Sequence, residues 1–551
     1  MAKRSSSSPE ASTSRSQVLR QESMMDVPDL RLHAGKFFDI SGLRACALVC
    51  RAWHRDFQPL VWRKFSAKLS ETNSSGQIDS IRHNIHWIRS LKWTEYRHTR
   101  CTTSTLFKLL STECYDSLVS LDLRICAHLG WHQYQDLFQN NKQTLQQVSF
   151  AFEHGAGPVP NDRQFVGALR DLSSLRRLTF FFVAPSFINL IHLMKTMPCM
   201  DTLEFIFCEM ATIRNYADVY IPEFWLSSSS SSTGPPVLSL KRFELQGPWE
   251  DDPVLVMLLK LCPKLEHLML KTSNNCKGPC QLVQDGCFPH LRSLGLHAGG
   301  LPPSLLSSAL KSLPPHQLTT VHLSSSLATT VQDLVEHHHQ SLEKVEIGVT
   351  DDQESCIIEF LSRCSQLQHF RFTAENGSGV EVRYAIARPW VCTKLKELAV
   401  EFVMGPGYYE SAAAAAEALS SASGETAPPL GFLGRTEDVQ AMTVLMTRLG
   451  QLSQIKELEL LPVEMLSEEL PPFRKVPLPW SLANGFSHLS CWTRLEQLDF
   501  GQYQPFPFGI PELQFMRQHW TALKEISSDD IDSEEIVEWL GEHWPELAVA
   551  T

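Results

Sequence analysis

Cys276, Cys280 and Cys287, and the run His337-His338-His339, are of the residue types from which metal sites are made. Zinc needs about four thiolates or imidazoles converging, commonly as two close pairs in sequence. Here a Cys-x3-Cys stands without a second pair, and a histidine triplet at a helix end reads as solvated. No metal and no other cofactor is expected. The sequence holds no GxxxxGK followed by Ser or Thr, no GxGxxG, no HExxH and no GxSxG, so phosphate-cradling, zinc-protease and hydrolase chemistries have no foothold. No catalytic residue is predicted. The acidic run Ser528 to Glu535 is either a substrate for an acid-directed kinase or the first turn of a last helix, where carboxylates favour the dipole. The second reading is preferred.

What remains is binding chemistry, and its position depends on a recurring phrase: an aliphatic residue, two variable residues, an aliphatic or aromatic, one variable residue, then a third apolar residue. Copies begin at Ile88, Leu118, Leu145, Leu175, Met200, Leu240, Leu265, Leu291, Leu318, Leu342, Leu367, Leu395, Ile455, Leu495 and Leu523. Spacings of about 24 to 30 residues fall in the range of leucine-rich repeats. Between copies lie helical patterns, such as Val254 to Pro263, Leu305 to Pro314 and Ile357 to Cys364, with Pro263 and Pro314 stopping the helix before the next strand. A strand–helix unit of that size cannot bury its apolar face alone. The predicted fold is therefore an α/β leucine-rich-repeat solenoid, with a parallel sheet inside and helices outside.

Alternation buries the apolar positions of each phrase and places the residues between and beside them on the concave sheet. That rule puts Arg124, Arg177, Arg242, Lys271, Lys344 and Arg371 on the groove, with Asp122, Glu204, Glu244 and Glu346. In the late copies it gives Glu397, Glu401, Glu457, Glu459 and Asp499, with no Lys or Arg among them. These five are the predicted seat for a basic segment of a protein substrate.

The chain has 551 residues, 43% of them hydrophobic and 20% charged, with 49 Lys+Arg against 61 Asp+Glu and a formal charge of −12. It is too long for one ordinary core unless it is a repeat array. The acidic balance argues against nucleic acid as a partner. Fifteen cysteines, odd in number and mostly single within apolar segments, fit reduced core residues of an intracellular protein, expected in the cytoplasm, the nucleus or both. Residues 1–25 form a Ser-rich leader without the apolar region of a secretory signal. Leu178 to Met194 reads as a strand followed by a helix rather than a membrane span. Low-complexity insertions fall near 227–236 and 405–434, and a C-terminal helix around Ile536 to Leu547 is the expected cap.

Residues 26–66 precede the array, which is taken to run over 80–551. Pro28, Leu30, Leu32, Phe37 and Phe38 mark one helix; Leu43, Cys46, Ala47, Val49, Cys50 and Trp53 a second; Leu60 and Trp62 a third. Three short helices have little core of their own, so such a module leans on a partner surface. The segment resembles the F-box family: Val27-Pro28 stands for its opening Leu-Pro, Leu43 opens the second helix, Val49-Cys50-Arg51-Ala52-Trp53 matches V-C-R-x-W, and Pro59-Leu60-Val61-Trp62 matches its closing P-L-x-W. With the repeats, the chain looks like a fungal-type F-box/leucine-rich-repeat protein.

The resemblance implies a non-enzymatic substrate receptor of a cullin–RING ubiquitin ligase, the module docking on a Skp-family linker and the repeats holding the target. The docking residues it implies are Val27, Pro28, Leu30, Leu32, Phe37, Phe38, Leu43, Val49, Cys50, Trp53, Leu60 and Trp62, with Trp53 and Trp62 as anchors. From Asp26 to Phe65 seven Lys and Arg outnumber four Asp, which would steer the module to an acidic partner. The rival expectation is a repeat scaffold or GTPase-regulator-like binding protein whose first helices only cap the array.

Overall fold

Every phrase becomes a strand, and every strand starts two residues after the first aliphatic position of its phrase. In the computed structural model, residues 1–26, 69–74, 95–108, 114–116, 126–130, 153–166, 183–186, 208–236, 248–252, 272–275, 298–300, 351–352, 375–378, 405–435, 461–477, 479, 501–505, 507, 529–530, 532 and 551 lie outside the description, and the rest is described. The expected leader and both low-complexity insertions therefore fall outside it. The chain forms two compact units, one of Met1–Arg124 with His132–Leu145 and one of Ile125–Trp131 with Gln146–Thr551.

In the first unit, α1 (Pro28–Ala34), a single 3-10 turn (Gly35–Phe37), α2 (Ile40–Ala47) and α3 (Arg51–Arg63) run directly into β1 (Lys64–Lys68). Strand β1 pairs in parallel with β2 (Ser90–Thr94), and β2 with β3 (Ser120–Ile125). Pro28 opens α1, where its missing N–H costs nothing, and Asp39 caps α2 by accepting from the Gly42 N–H at 2.7 Å. The sequence reading of one helix from Leu43 to Trp53 is corrected. Helix α2 stops at Ala47, Cys50 is fully extended, and Trp53 lies in the first turn of α3. Folding back at 48–50 lays α2 along α3, which a continuous helix could not do. The third helix, expected around Leu60 and Trp62, is α3 itself, with Pro59 inside it. Further along this unit, buried Asn141 closes a repeat: its amide oxygen accepts from the Leu118 N–H at 3.1 Å and its amide nitrogen donates to the Leu137 carbonyl.

In the second unit the strands are β4 (Gln147–Phe152), β5 (Arg177–Phe181), β6 (Thr202–Ile206), β7 (Arg242–Gln246), β8 (His267–Lys271), β9 (Ser293–His297), β10 (Thr320–Ser326), β11 (Lys344–Val349) and β12 (His369–Ala374). A short strand, β13 (Val380–Glu381), pairs with β15 (Phe402–Val403) in a separate ribbon. The main sheet continues through β14 (Glu397–Val400), β16 (Glu457–Glu459), β17 (Gln497–Asp499), β18 (Glu525–Ser527) and β19 (Ala548–Ala550). Each is parallel to its neighbour. At most strand entries one carbonyl accepts two successive N–H groups of the next repeat. Arg176 O accepts from Asp201 and Thr202 at 2.9 and 3.0 Å, and Lys396 O accepts from Lys456 and Glu457 at 2.7 and 3.0 Å.

The core lies between sheet and helices. Helix Pro253–Lys260 buries Val254, Leu255, Leu258 and Leu259, and helix Pro303–Ser312 buries Leu306, Ala309 and Leu310. Each such side chain contributes about 1.5–3 kcal/mol by leaving water. Along β4 to β6 the third phrase position is Phe150, Phe180 and Phe205, whose rings stack at 5.8 and 5.4 Å between centroids. One residue past β5, β6 and β7 the backbone turns left-handed, at Phe182, Phe207 and Gly247. Only the glycine takes that conformation without cost.

Candidate functional site

The module presents an apolar surface that it does not use internally. Val27, Leu30, Leu32, Phe37, Phe38, Ile40, Leu48 and Val49 are eight of the sixteen large apolar side chains exposed among the described residues, all within 23 positions. Leu48 is 84% exposed, Phe37 78% and Val49 62%. Pro28 and Cys50 are exposed beside them. Other residues of the expected docking set face inward. Leu43 is buried, and Trp53, Leu60 and Trp62 are half-buried, Trp53 against Phe57 and Trp62 against Phe65 at centroid distances of 5.5 and 5.9 Å. Leu48 and Ile40 were not singled out from the sequence. Leu48 would have been, had the helix been ended at Ala47.

A buried ion pair fixes this surface. Arg31 of α1 reaches Asp56 of α3, its Nε at 2.8 Å and its Nη2 at 2.5 Å from Oδ2, with both side chains almost fully covered. The Arg31 hydrogen bonds hold the Asp56 carboxyl below the usual carboxylate range. Arg31 and Asp56 thus leave the count of steering charges. Six cations and three carboxylates remain, and the excess of three is unchanged. Gly35 allows the link after α1 to lie on α3, since a Cβ there would stand 2.6 Å from Leu60 Cδ1.

The second candidate is the strand face of the second unit. Its register aligns Arg242, His267, Ser293, Thr320, Lys344, His369, Glu397, Glu457, Gln497 and Glu525 in one row. Beside it runs Glu244, Met269, Gly295, His322, Glu346, Arg371, Ala399, Glu459 and Asp499. All five expected carboxylates lie on or beside this face, with Glu401 just after β14. No Lys or Arg is among these five, but two of them are engaged by side chains of β12. Arg371 reaches across the small Ala399 to grip Glu459 through both nitrogens, and His369 Nδ1 lies 2.7 Å from Glu397 Oε2. The early charges are also mutually engaged. Glu204 is buried on the face, where Arg177 at 2.6 Å, Arg242 at 3.2 Å and the Thr179 hydroxyl at 3.1 Å converge on it, and Arg242 bonds Glu244 as well.

Histidines at face positions went unremarked in the sequence, although the same alternation rule locates them: His267, His297, His322 and His369. His322 Nδ1 sits 2.7 Å from Glu346 Oε2, and His297 Nδ1 sits 2.6 Å from the Ser324 hydroxyl. The His322 bond, with Lys271 and Arg371 nearby, holds the Glu346 carboxyl down at about 2. Burial, with the Arg242 charge, lowers the His267 imidazole.

The histidine triplet is not solvated as a whole. His338 is completely buried; its Nε2 faces the Leu310 carbonyl at 3.3 Å and its Nδ1 has no partner. Burial pushes this imidazole down to about 4. Of the three clustered cysteines, Cys276 and Cys280 are buried and Cys287 is half-buried, and burial raises the Cys280 thiol to about 12, which makes it a poor nucleophile and ligand. Among the described residues no group of three or more His, Cys, Asp or Glu converges as a metal site, and no helix is long and apolar enough to cross a membrane. The acidic run enters the last helix, Glu534–His543, with Ser533 as its cap and Glu534 and Glu535 in its first turn.

No family model matches the chain, and no curated protein matches it. Solved structures do. A leucine-rich-repeat protein of Leptospira interrogans is 12% identical over 90% of this chain and 96% of its own, with a TM-score of 0.30. The leucine-rich-repeat protein LegL7 of Legionella pneumophila is 14% identical over 54% of this chain and 97% of its own, at 0.32. The Rad7 and Elc1 complex of yeast gives 11% identity over 92% of both chains, at 0.37. The class of this protein is read from its own strands: parallel neighbours in sequence order, one per phrase, with helices behind them define an α/β leucine-rich-repeat solenoid. The helical segment precedes it.

Proposed function

We propose that the chain is the substrate-recognition subunit of a cullin–RING ubiquitin ligase of the SCF type, with α1–α3 docking on a Skp-family linker and the strand face holding a target protein. The carrying observation is the exposed apolar surface of the module. Leu30, Phe37, Leu48 and Val49 face outward on a framework locked by Arg31 and Asp56. A helical partner that buries such a surface gains most from its central aromatic and aliphatic anchors. The module's excess of cations favours encounter with an acidic linker. A receptor of this kind needs no catalytic residue, because it acts by raising the effective concentration of target near the ligase. On the strand face, Glu457, Glu401 and Asp499, with Glu397 and Glu459 shared with β12, are the proposed seat for a basic target segment.

The test is co-purification of the full chain with a Skp-family linker and cullin, set against a Phe37→Asp/Leu48→Asp/Val49→Asp variant. These side chains are exposed, so the variant keeps its fold, and linker binding should weaken by at least about tenfold. If the linker never co-purifies while other protein partners do, the scaffold reading replaces this one. Reversing Glu397, Glu401 and Glu459 to Lys tests the target seat separately, and unchanged target binding refutes it.

A further inference from the structure

The strand face changes sign along its length. From β14 to β18 its positions carry only carboxylates among charged residues, as read above. From β8 to β12 they carry Lys271, Lys344 and Arg371 against the single carboxylate Glu346, together with four imidazoles. Glu346 is occupied by His322, and Arg371 by Glu459. Lys271 and Lys344 make no ion pair among the described residues, and Lys344 is exposed. Between these two lysines Ser293 and Gly295 on β9 are small and buried, and Met269 lies across Gly295, whose added Cβ would clash with its sulfur.

Cations beside this stretch act on two of its titratable groups. The Glu346 carboxyl is held down first by its hydrogen bond from His322 and further by Lys271 and Arg371, and the His267 imidazole is lowered first by burial and then by Arg242. An anion placed over Ser293 and Gly295 would feel the same field, with two lysine ammonium groups free to close on it.

We infer that the strand face over β8–β12 seats an acidic segment of a protein partner, its anionic side chains held by Lys271 and Lys344 and its backbone lying over Ser293, Gly295 and Met269. Five strands at about 4.8 Å spacing span about 19 Å, the length of about six extended residues. The face positions from β8 to β12 contain no Phe, Tyr or Trp, the face turns to carboxylates from β14 onward, and the chain carries a formal charge of −12; a short acidic segment of protein meets less repulsion there than a continuous nucleic-acid polyanion. The anion is a carboxylate or a phosphoryl group on such a segment. This deepens the target-holding role proposed for the face and rests on it, whereas linker docking is scored on the module and is a separate readout.

The experiment measures anisotropy of dye-labelled peptides with the full chain and with a Lys271→Glu/Lys344→Glu variant, whose fold is checked by circular dichroism. The probes are an Asp/Glu-rich octapeptide, a Ser-rich octapeptide with and without phosphoserine, a Lys-rich octapeptide and an oligouridylate. Binding of the Asp/Glu peptide or the phosphopeptide that weakens about tenfold or more in the variant, and falls with added salt, is the expected result. Whichever of the two binds more tightly identifies the source of the anion. The inference is overturned if no acidic peptide binds, if the Lys-rich peptide or the oligouridylate binds more tightly than both, or if charge reversal leaves the dissociation constant unchanged.

Discussion

Lowering the pH from 7 to 5 should loosen the repeat that holds His338, and the size of the effect follows from its surroundings. Its ring is fully buried between helix Ala328–His338 and the preceding helix Pro303–Ser312. The Nε2–H donates to Leu310, so the lone pair sits on Nδ1, where a second proton would find no acceptor. His337 and His316 add positive charge nearby when they protonate. The folded imidazole titrates at about 4 against 6.5 for the free side chain. A depressed folded pKa means that the neutral form is preferred in the fold. The stability it contributes is complete above pH 6.5 and is lost as the pH falls towards 4, because the unfolded chain takes up the proton first. At 1.36 kcal/mol per pH unit the full loss is about 3 kcal/mol, of which about 2 kcal/mol is already gone at pH 5.

Hydrogen exchange of the amides in these two helices at pH 7, 6 and 5 reads this directly, after correction for the intrinsic exchange rate. His338→Gln supplies a side-chain amide to donate to Leu310 but cannot titrate, so its protection should fall by far less than that of the native chain. The comparison is of slopes, so any constant cost of the substitution drops out. Equal slopes in the two proteins refute the assignment.

Two further outcomes follow from packing alone. Removing one partner of the buried pair, as Arg31→Met or Asp56→Leu, should destabilise the module by about 3–5 kcal/mol, whereas the double variant should recover most of the loss, read as urea midpoints of the module's unfolding. Because Asp56 is depressed when folded, that stability is present above its free pKa of 3.8 and lost as the pH falls below it. Phe207→Gly should raise the melting temperature, since Phe207 is 65% exposed at φ +50 and relief of that conformation is worth about 1 kcal/mol. A lower melting temperature would show that the ring makes contacts worth more than the strain.

The strand positions were legible because the phrase carries both a spacing and an alternation, and the first aliphatic residue alone placed the strand of every phrase in both units. Strand β1 was missed because Trp62 was read with Leu60 as part of a helix, although Trp62, Phe65 and Ala67 have the spacing of a phrase. Strand β19 was absorbed into the cap for the same reason at Leu547. The break between α2 and α3 was not legible: Leu43, Cys46, Cys50 and Trp53 keep a helical spacing across it, and only packing against α3 decides where the chain folds back. Alternation assigns the charged residues to strand positions one by one, but their pairing is not legible in it, since Arg371 and Glu459 are 88 residues apart and meet across Ala399. His338 looked solvated because three adjacent histidines are all polar by type, whereas helix geometry turns only the middle one inward.

The paired hydrogen bonds that strand-entry carbonyls accept begin 25 positions later at Arg176 and 60 positions later at Lys396, between β14 and β16, at similar lengths and in unbroken register. The ladder therefore counts strands and is blind to how much chain separates them. A loop lineage can lengthen, shorten or exchange whole segments between two strands without altering which side chains meet on the face. Surface novelty and recognition can thus evolve on separate schedules within one chain.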